Sequence, residues 1–300
     1  MALLAGTHYD PSTAVAKSTA SLLAMTAFDT TNLRLSFTVP SNGAVLVRLR
    51  CQAMDQNQSP SILLGILEGS TVIARHRPVG ALCGAAVSTT RITQESVFVV
   101  DGLTPGANLT WDAAYAVQVV LTSTNIRYGG PNDTTTNNAY GGFVFEIYET
   151  PHLLDAINYD PGTAVSKATS SLLAMTALDT TNLRITFTVP DSGKVLVRLR
   201  GCVVGSSSYP QIILGVLESS TVKGRGTPIG GLSTAVGSTM PMTQESEFIV
   251  TGLTPGASLT WDAAYGVEVV VASTNLKYGG PNNASGNDAW GAFLFEVWAI

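Results

Sequence analysis

The chain has 300 residues, of which 45% are hydrophobic and 12% charged, and its formal net charge is −5. That charged share is about half of what is usual, and the abundance of Ser, Thr, Val, Gly and Asn favours a β-rich protein. The basic residues form no stripe, so we predict no nucleic-acid partner. No apolar run reaches the ~18 residues of a membrane span, so we also predict no membrane partner.

The sequence contains one domain twice, with an offset of 150 residues. Without a gap, about 86 of the 150 aligned positions are identical. A repeat of this length indicates two whole domains, since ~150 residues is an ordinary domain size. We therefore predict one domain at 1–150 and a second at 151–300.

Two hairpins are predicted early in the first copy. Leu33–Val39 and Val45–Arg50 each alternate apolar and polar residues, and Pro40 with a Ser-Asn-Gly turn separates them. Ile62–Leu67 and Thr71–Arg75 flank a Glu-Gly-Ser turn in the same way. Alternating runs separated by short turns are typical of hairpins.

Other stretches of the early sequence give less definite predictions. Residues 52–60 and 78–93 differ most between the copies and are predicted to be exposed loops. Ser21–Ala27 is compatible with either a short helical turn or a strand.

The most regular run is Gly102–Tyr115, which recurs at Gly252–Tyr265. Its Pro-Gly pair suits a tight turn, because Pro presets one backbone dihedral and Gly accepts positive φ. After it, apolar residues alternate with other residues up to position 119, which predicts a strand with one buried face. Trp111 and Tyr115 lie on that face, so we predict that they pack in the core.

Two further strands, Asn125–Tyr128 and Phe143–Tyr148, complete the domain. About eight short strands without a helical pattern predict a sandwich of antiparallel sheets. The predicted fold class is therefore all-β, with two tandem jelly-roll-like antiparallel β-sandwich domains related by internal duplication.

The order of these features resembles the jelly-roll family of the tumour necrosis factor and complement globular-head type. The runs that carry the resemblance are the early Phe37–Val47, the late turn at Gly102–Ala107 and the closing strand from Phe143. It covers roughly residues 33–148 of each copy. The resemblance implies a homo-oligomer, with a trimer as the expected form.

The amino-acid sequence of both copies also resembles β-sandwich structural proteins of tailed bacteriophages, especially those that infect actinobacteria. Thr180–Pro190, Gly252–Tyr265 and Lys277–Asn282 carry this resemblance. It implies a capsid decoration or tail-associated protein of the virion, assembled in the host cytoplasm, whose partners are major capsid or tail proteins.

Catalytic chemistry is not expected. His8, His76 and His152 align with Asn158, Gly226 and Ala2, so the copies share no histidine for a catalytic triad or a metal site. We predict a non-enzyme without catalytic residues, metal or cofactor. The carboxylates that both copies share are predicted to cap turns or to pair with outward arginines, although a glycosidase pair was the other possibility. These are Asp10, Asp29, Glu68, Glu95, Asp112 and Glu146 with their counterparts 150 positions later.

The cysteines and the N-terminus indicate a cytoplasmic origin. Cys51, Cys83 and Cys202 do not align between the copies, so they are predicted to be buried or incidental thiols in a reducing compartment. The first residues carry no basic leader, which predicts no signal peptide.

An alternative function is a carbohydrate-binding adhesin or receptor-binding module. Asn-rich stretches at 129–138 and 279–288 have an aromatic residue beside them, and such polar and aromatic groups suit sugar hydroxyls. The candidate contacts with a host glycan or a protein partner are Asn132, Tyr140, Asn282 and Trp290. The same stretches are equally compatible with plain turns or, with weaker support, an oxygen cluster for calcium.

Overall fold

The computed structural model of the chain describes residues 1–18, 25–54, 62–79, 91–117, 125–131, 139–168, 175–204, 212–226, 229, 241–267, 275–280 and 289–300. Every regular element in these ranges is a β-strand, and none is a helix. The all-β prediction is therefore confirmed. Within the same ranges, no helix is long and apolar enough to cross a bilayer.

The chain divides into two compact units. Unit 1 comprises Met1–Thr150 together with Gly280–Gly291, and unit 2 comprises Pro151–Gly279 with Ala292–Ile300. The predicted domains at 1–150 and 151–300 stay a prediction.

Among the described residues, each unit has eleven strands in corresponding positions. The strands of unit 1 are β1 (Leu3–Tyr9), β2 (Val15–Ser18), β3 (Thr26–Ala27), β4 (Arg34–Thr38), β5 (Val45–Met54), β6 (Ile62–Glu68), β7 (Thr71–His76), β8 (Arg91–Val100), β9 (Asn108–Val117), β10 (Asn125–Tyr128) and β11 (Phe143–Glu149). The strands of unit 2 are β12 (Leu153–Tyr159), β13 (Val165–Ala168), β14 (Thr176–Ala177), β15 (Arg184–Thr188), β16 (Val195–Val204), β17 (Ile212–Glu218), β18 (Thr221–Gly226), β19 (Pro241–Val250), β20 (Ser258–Val267), β21 (Asn275–Tyr278) and β22 (Phe293–Ala299).

Two antiparallel sheets form each unit. In unit 1 the six-stranded sheet has the order β1-β11-β5-β10-β2, and β8 pairs with β5 along its whole length. The five-stranded sheet has the order β3-β9-β6-β7, and β4 also pairs with β9. Unit 2 repeats both sheets as β12-β22-β16-β21-β13 with β19, and β14-β20-β17-β18 with β15.

The core lies between the two sheets. In unit 2 one buried cluster joins Phe187 and Trp261 of the five-stranded sheet to Val197 and Phe295 of the six-stranded sheet. In unit 1 Trp111 is fully buried, and its ring centre lies 4.7 Å from that of Phe37. Apolar faces of two sheets packed on each other make a β-sandwich, as predicted.

The first predicted hairpin is wrong, and the second is confirmed. β4 pairs with β9, whereas β5 pairs with β8, β10 and β11 in the other sheet. The chain changes sheet at Gly43, which has φ +67° and whose N–H donates to the Pro40 carbonyl at 3.0 Å. β6 and β7 do pair, around Gly69 at φ +61°.

The N-terminal region contains three strands that its weak apolar–polar alternation did not predict. β1 pairs with β11 and β2 pairs with β10, so both strands belong to the six-stranded sheet. Thr26 and Ala27 form the short strand β3, which selects the strand alternative at the end of Ser21–Ala27. Residues 19–24 of that stretch lie outside the described residues.

Candidate interaction surface

Part of the outer face of the five-stranded sheet in unit 1 is buried, in addition to its inner face. A second apolar cluster on unit 1 contains Met25, Leu63, Leu67, Ala114, Ala116 and Ala289. Ala114 and Ala116 lie on β9 opposite Trp111, so the prediction of a single buried face is wrong for this strand. We call the four described residues Gly280, Ala289, Trp290 and Gly291 the docked segment; residues 281–288 lie outside the described residues.

Two arginines hold the docked segment on this face. Arg75 is fully buried, and its Nη2 donates to the Gly280 carbonyl at 2.6 Å. Nη2 of the buried Arg77 donates to the Ala289 carbonyl at 3.4 Å, and its guanidinium carbon lies 5.7 Å from the Trp290 ring centre. Hydrogen bonds from a charged donor and contacts of a cation with an aromatic face both gain strength away from water.

The backbone of the docked segment approaches the sheet closely at Gly291. This residue has φ +77°, and a Cβ placed on it would lie 3.1 Å from the Arg77 nitrogen and 3.3 Å from Leu63 Cδ2. Glycine suits this position for two reasons, because it accepts positive φ and leaves room for the neighbouring strand.

Both aromatic residues predicted to contact a glycan are buried. The exposed fraction is 3% for Tyr140 and 7% for Trp290. Arg127 Nη1 donates to the Tyr140 hydroxyl at 2.7 Å, and its guanidinium carbon lies 5.2 Å from that ring centre. The two rings therefore present little area on which a sugar could stack. Asn132 and Asn282 lie outside the described residues, and the predicted glycan contact stays a prediction.

Among the carboxylates that the copies share, Asp112 and Asp29 with their counterparts Asp262 and Asp179 are engaged with arginines or with turns, as predicted. Arg34 donates from Nε and Nη2 to both oxygens of Asp112, at 2.7 and 2.8 Å. Arg184 and Asp262 repeat this bidentate pair in unit 2. Asp29 Oδ1 accepts hydrogen bonds from the backbone N–H groups of Thr31 and Asn32, each at 2.9 Å, so it caps a turn. The corresponding Asp179 makes the same contacts with Thr181 and Asn182.

A charged cluster in unit 2 is more deeply buried than its counterpart in unit 1. Glu296 is fully buried, accepts a hydrogen bond from Trp298 Nε1 at 3.1 Å, and lies 3.3 Å from Arg198 Nη1. Burial raises the pKa of Glu296, although the nearby arginines oppose this shift. Burial also lowers the pKa of Arg200 to about 10.

The raised pKa of Glu296 leads us to expect that the stability of unit 2 depends on pH. A carboxyl whose pKa is higher in the folded state stabilises the fold below its ordinary value of 4.5, and this contribution is lost as pH rises through the folded-state pKa. We expect Glu296→Gln to flatten that decline in urea unfolding measured from pH 4 upward. Glu146→Gln is the matched control, because the Glu146 side chain is 24% exposed. An equal effect of both substitutions would contradict the assignment.

Arg75 and Arg225 occupy aligned positions and provide a second test. Arg75 is fully buried, whereas Arg225 is exposed. We expect Arg75→Ala to lower the free energy of unfolding by about 2 kcal/mol, the usual scale for a hydrogen bond to a charged group. Arg225→Ala should change it by less than about 0.5 kcal/mol, as surface substitutions do. Urea denaturation of the two variants checks this difference, which would vanish if Arg75 did not hold the docked segment.

The sequence did not single out Arg75 and Arg77. One usable signal was the difference between the copies, since Arg77 aligns with Thr227 and Trp290 aligns with Tyr140. The two positions change together, as expected for residues in contact.

Neither thiols nor metal ligands form a further site in the part of the chain that the structure describes. Cys51 and Cys202 are buried, burial raises the pKa of Cys51, and Cys83 lies outside the described residues. Among the described residues, no three His, Cys, Asp or Glu side chains are grouped so that they could hold a metal ion.

No family model matches the chain, and no curated protein sequence is significantly similar to it. Among solved structures, it is similar to the N-terminal CBM22-1-CBM22-2 tandem domain of Xyn10C from Paenibacillus barcinonensis, at 9% identity over 99% of this chain and 98% of that one, with a TM-score of 0.23. It is also similar to the tandem CBM51 modules of a family 98 glycoside hydrolase from Streptococcus pneumoniae, at 12% identity over 99% and 97%, with a TM-score of 0.20. A third similarity is to the infectious bursal disease virus Gx strain, at 9% identity over 89% and 75%, with a TM-score of 0.21. TM-scores this low carry no argument about function.

Proposed function

We propose that this chain is a structural protein of a tailed-bacteriophage virion, either a capsid decoration protein or a tail-associated module. In this proposal it self-associates as a trimer, docks on capsid or tail proteins through its β surfaces, and catalyses no reaction. It is assembled in the host cytoplasm. The observation that carries the proposal is the use of shared acidic residues in both units as structural ligands of arginines and turns.

The engagement of these carboxylates bears directly on catalysis. A glycosidase needs two carboxyl groups that face each other across a cleft about 5–10 Å wide. Asp112 and Asp262 instead each bind one arginine of the adjacent strand through both oxygens. A carboxylate held in this way stabilises a sheet and is poorly placed to transfer protons. This engagement of the carboxylates supports a structural role without catalysis, as does the resemblance to phage structural proteins.

Purified particles from the source of the sequence provide the test. We expect mass spectrometry to find the chain in several copies per virion, and immunogold labelling to place it on the capsid or the tail. Light scattering of the isolated protein should give three times the chain mass of 31.3 kDa. Absence of the chain from washed particles would contradict the proposed function.

The adhesin alternative has less structural support, because the Tyr140 and Trp290 rings are buried. We expect no binding on a glycan array. Binding that weakened in both Trp290→Ala and Asn282→Ala variants would instead favour the carbohydrate-binding function.

A further inference from the structure

Strand β19 leaves part of a sheet edge open in unit 2. Among the described residues, β19 pairs with β16 on one side, and on its other side Glu245 alone forms a bridge, with Ile229. The Ile229 N–H donates to the Glu245 carbonyl at 2.6 Å, and the Glu245 N–H donates to the Ile229 carbonyl at 3.2 Å. Because backbone groups alternate in direction along a strand, those of Glu247 and Ile249 also point to this edge, away from β16.

We call Glu247–Thr251 the open edge. Ile249 is 57% exposed, and Glu247 and Thr251 are exposed as well. Val99, which aligns with Ile249, is fully buried, so this strand position is covered in one unit and open in the other. The open edge contains no proline or lysine, and the pairing of β19 with β16 has no register shift. An edge strand that lacks these protecting features is a template for another strand.

We propose that the open edges of two copies of this chain pair as antiparallel strands about a two-fold axis at Ile249. The six-stranded sheet of unit 2 in one copy then continues into that of the other. Ile249 of each copy faces Ile249 of the other, and the two residues exchange both of their backbone hydrogen bonds. This inference goes beyond the proposed function, because a two-fold contact joins two copies and does not itself build a trimer.

The side chains along the open edge suit this register. Phe248 packs against the core on the inner face of the sheet, and it would meet Val250 of the second copy. Both faces of the contact therefore pair apolar residues, Ile249 with Ile249 and Phe248 with Val250. Glu247 would meet Thr251 of the second copy, which carries no charge. A register centred on Glu247 would instead place two carboxylates opposite each other, which destabilises a strand pair.

An apolar row on the outer face of the sheet would continue across the contact. In each copy Leu196 lies directly between Ile249 and Trp298 of the two neighbouring strands. Leu196 and Trp298 are half-buried. Pairing at Ile249 joins the rows of the two copies into one and removes apolar area from water, which is the main driving force for association.

Charges beside the open edge are also complementary. Within one copy, Glu247 lies opposite Arg198. The exposed Lys194 lies next to Thr251, one position beyond the last strand pair of β16 with β19. In the proposed register Glu247 of one copy is therefore two strands from Lys194 of the other. Strands are spaced about 5 Å apart, so the two long side chains can meet.

The length of the contact is limited at both ends. Gly252 has φ +74°. The Leu253 N–H donates to the Gly193 carbonyl at 3.1 Å, so the chain bends toward the β16 side after the open edge. The strand of the second copy therefore ends before it reaches Ile229, and the bridge at Glu245 does not obstruct the pairing.

Cysteine cross-linking tests both the contact and its register. Hydrogen-bonded residues of antiparallel strands have Cα atoms about 5.5 Å apart, which suits a disulfide. We expect Ile249→Cys to form a covalent dimer under mild oxidation, seen by non-reducing gel electrophoresis. Glu247→Cys and Thr251→Cys should each give no dimer alone and should cross-link when mixed. The unmodified chain is the control for its own thiols, of which Cys51 and Cys202 are buried.

Sedimentation equilibrium provides a second measurement. We expect the mass of the unmodified chain to double reversibly between micromolar and millimolar concentration, whichever oligomer is present at the lower concentration. Ile249→Lys should abolish the doubling, because it places a charge in the contact, and should leave the unfolding midpoint unchanged, because the residue is exposed. Lys194→Glu should raise the dissociation constant by up to about fivefold, the scale of one cross-strand charge pair.

The inference fails in three ways. Absence of a covalent dimer from Ile249→Cys, or equal cross-linking of Glu247→Cys alone and in the mixture with Thr251→Cys, would show that the register is wrong. A mass that does not double would show that the contact does not form. Doubling that persists in Ile249→Lys would show that another surface is used. The presence of the chain in virions and its mass at low concentration test the proposed function separately.

Discussion

Replacing Trp111 with alanine should lower the free energy of unfolding by about 3–5 kcal/mol, the range seen when a large buried aromatic is truncated. The indole is fully buried and packs edge-on against Phe37. It belongs to the β9 face that joins the two sheets of unit 1, so its loss leaves a cavity in the centre of the sandwich. Urea denaturation followed by circular dichroism measures the effect.

The duplicated sequence provides an internal replicate for this prediction. Trp261 is also fully buried and packs against Phe187 at 4.8 Å, so Trp261→Ala should destabilise unit 2 by a similar amount. Leu3→Ala is the control, because that side chain is 56% exposed. A tryptophan variant no less stable than the Leu3 variant would show that the indole is not a core residue.

Gly65→Ala should cost about 3 kcal/mol, at the upper end of the usual range for overpacking. A Cβ on Gly65 would collide with the Ala74 carbonyl oxygen of the paired strand β7, and would lie 2.8 Å from Met25 Sδ and 2.9 Å from Arg75 Cα. Backbone atoms cannot rotate away as a side chain can, so β6 and β7 would have to separate.

Gly215 provides a replicate of this substitution, and Gly162 provides a control. Gly215 has the same surroundings in unit 2, with the Gly224 carbonyl oxygen 2.5 Å from a built Cβ, and Gly215→Ala should be equally costly. Gly162 has no atom within 4 Å of such a Cβ and no positive φ, so Gly162→Ala should be neutral within about 0.5 kcal/mol. Equal thermal midpoints for the Gly65 and Gly162 variants would contradict the close approach of β6 and β7.

Local alternation located strands but could not assign them to sheets. The pattern of Leu33–Val39 and Val45–Arg50 identified β4 and β5, and it placed Trp111 and Tyr115 in the core. Alternation describes one strand and the face it buries; it carries no information about the neighbouring strand. The predicted hairpin failed for that reason, because a turn at Gly43 leads as easily to the opposite sheet as back along the same one.

The contacts of Arg75 and Arg77 with the docked segment could not be predicted, because they join residues far apart in the sequence. Arg75 binds the carbonyl of a residue 205 positions away, and an arginine at the end of an alternating strand is ordinarily predicted to be exposed. Ala114 and Ala116 were equally ambiguous, since alanine is compatible with either environment. By contrast, the pairing of Asp112 with an outward arginine was predicted, although the strand that supplies this arginine was not.

Electron cryomicroscopy of virions purified from the source of the sequence tests the central claim most directly, because it shows where the chain lies on the particle. We expect density for the β-sandwich units of the chain on the capsid surface or on the tail. Particles that lack this density would contradict the claim that the chain is a structural protein of the virion.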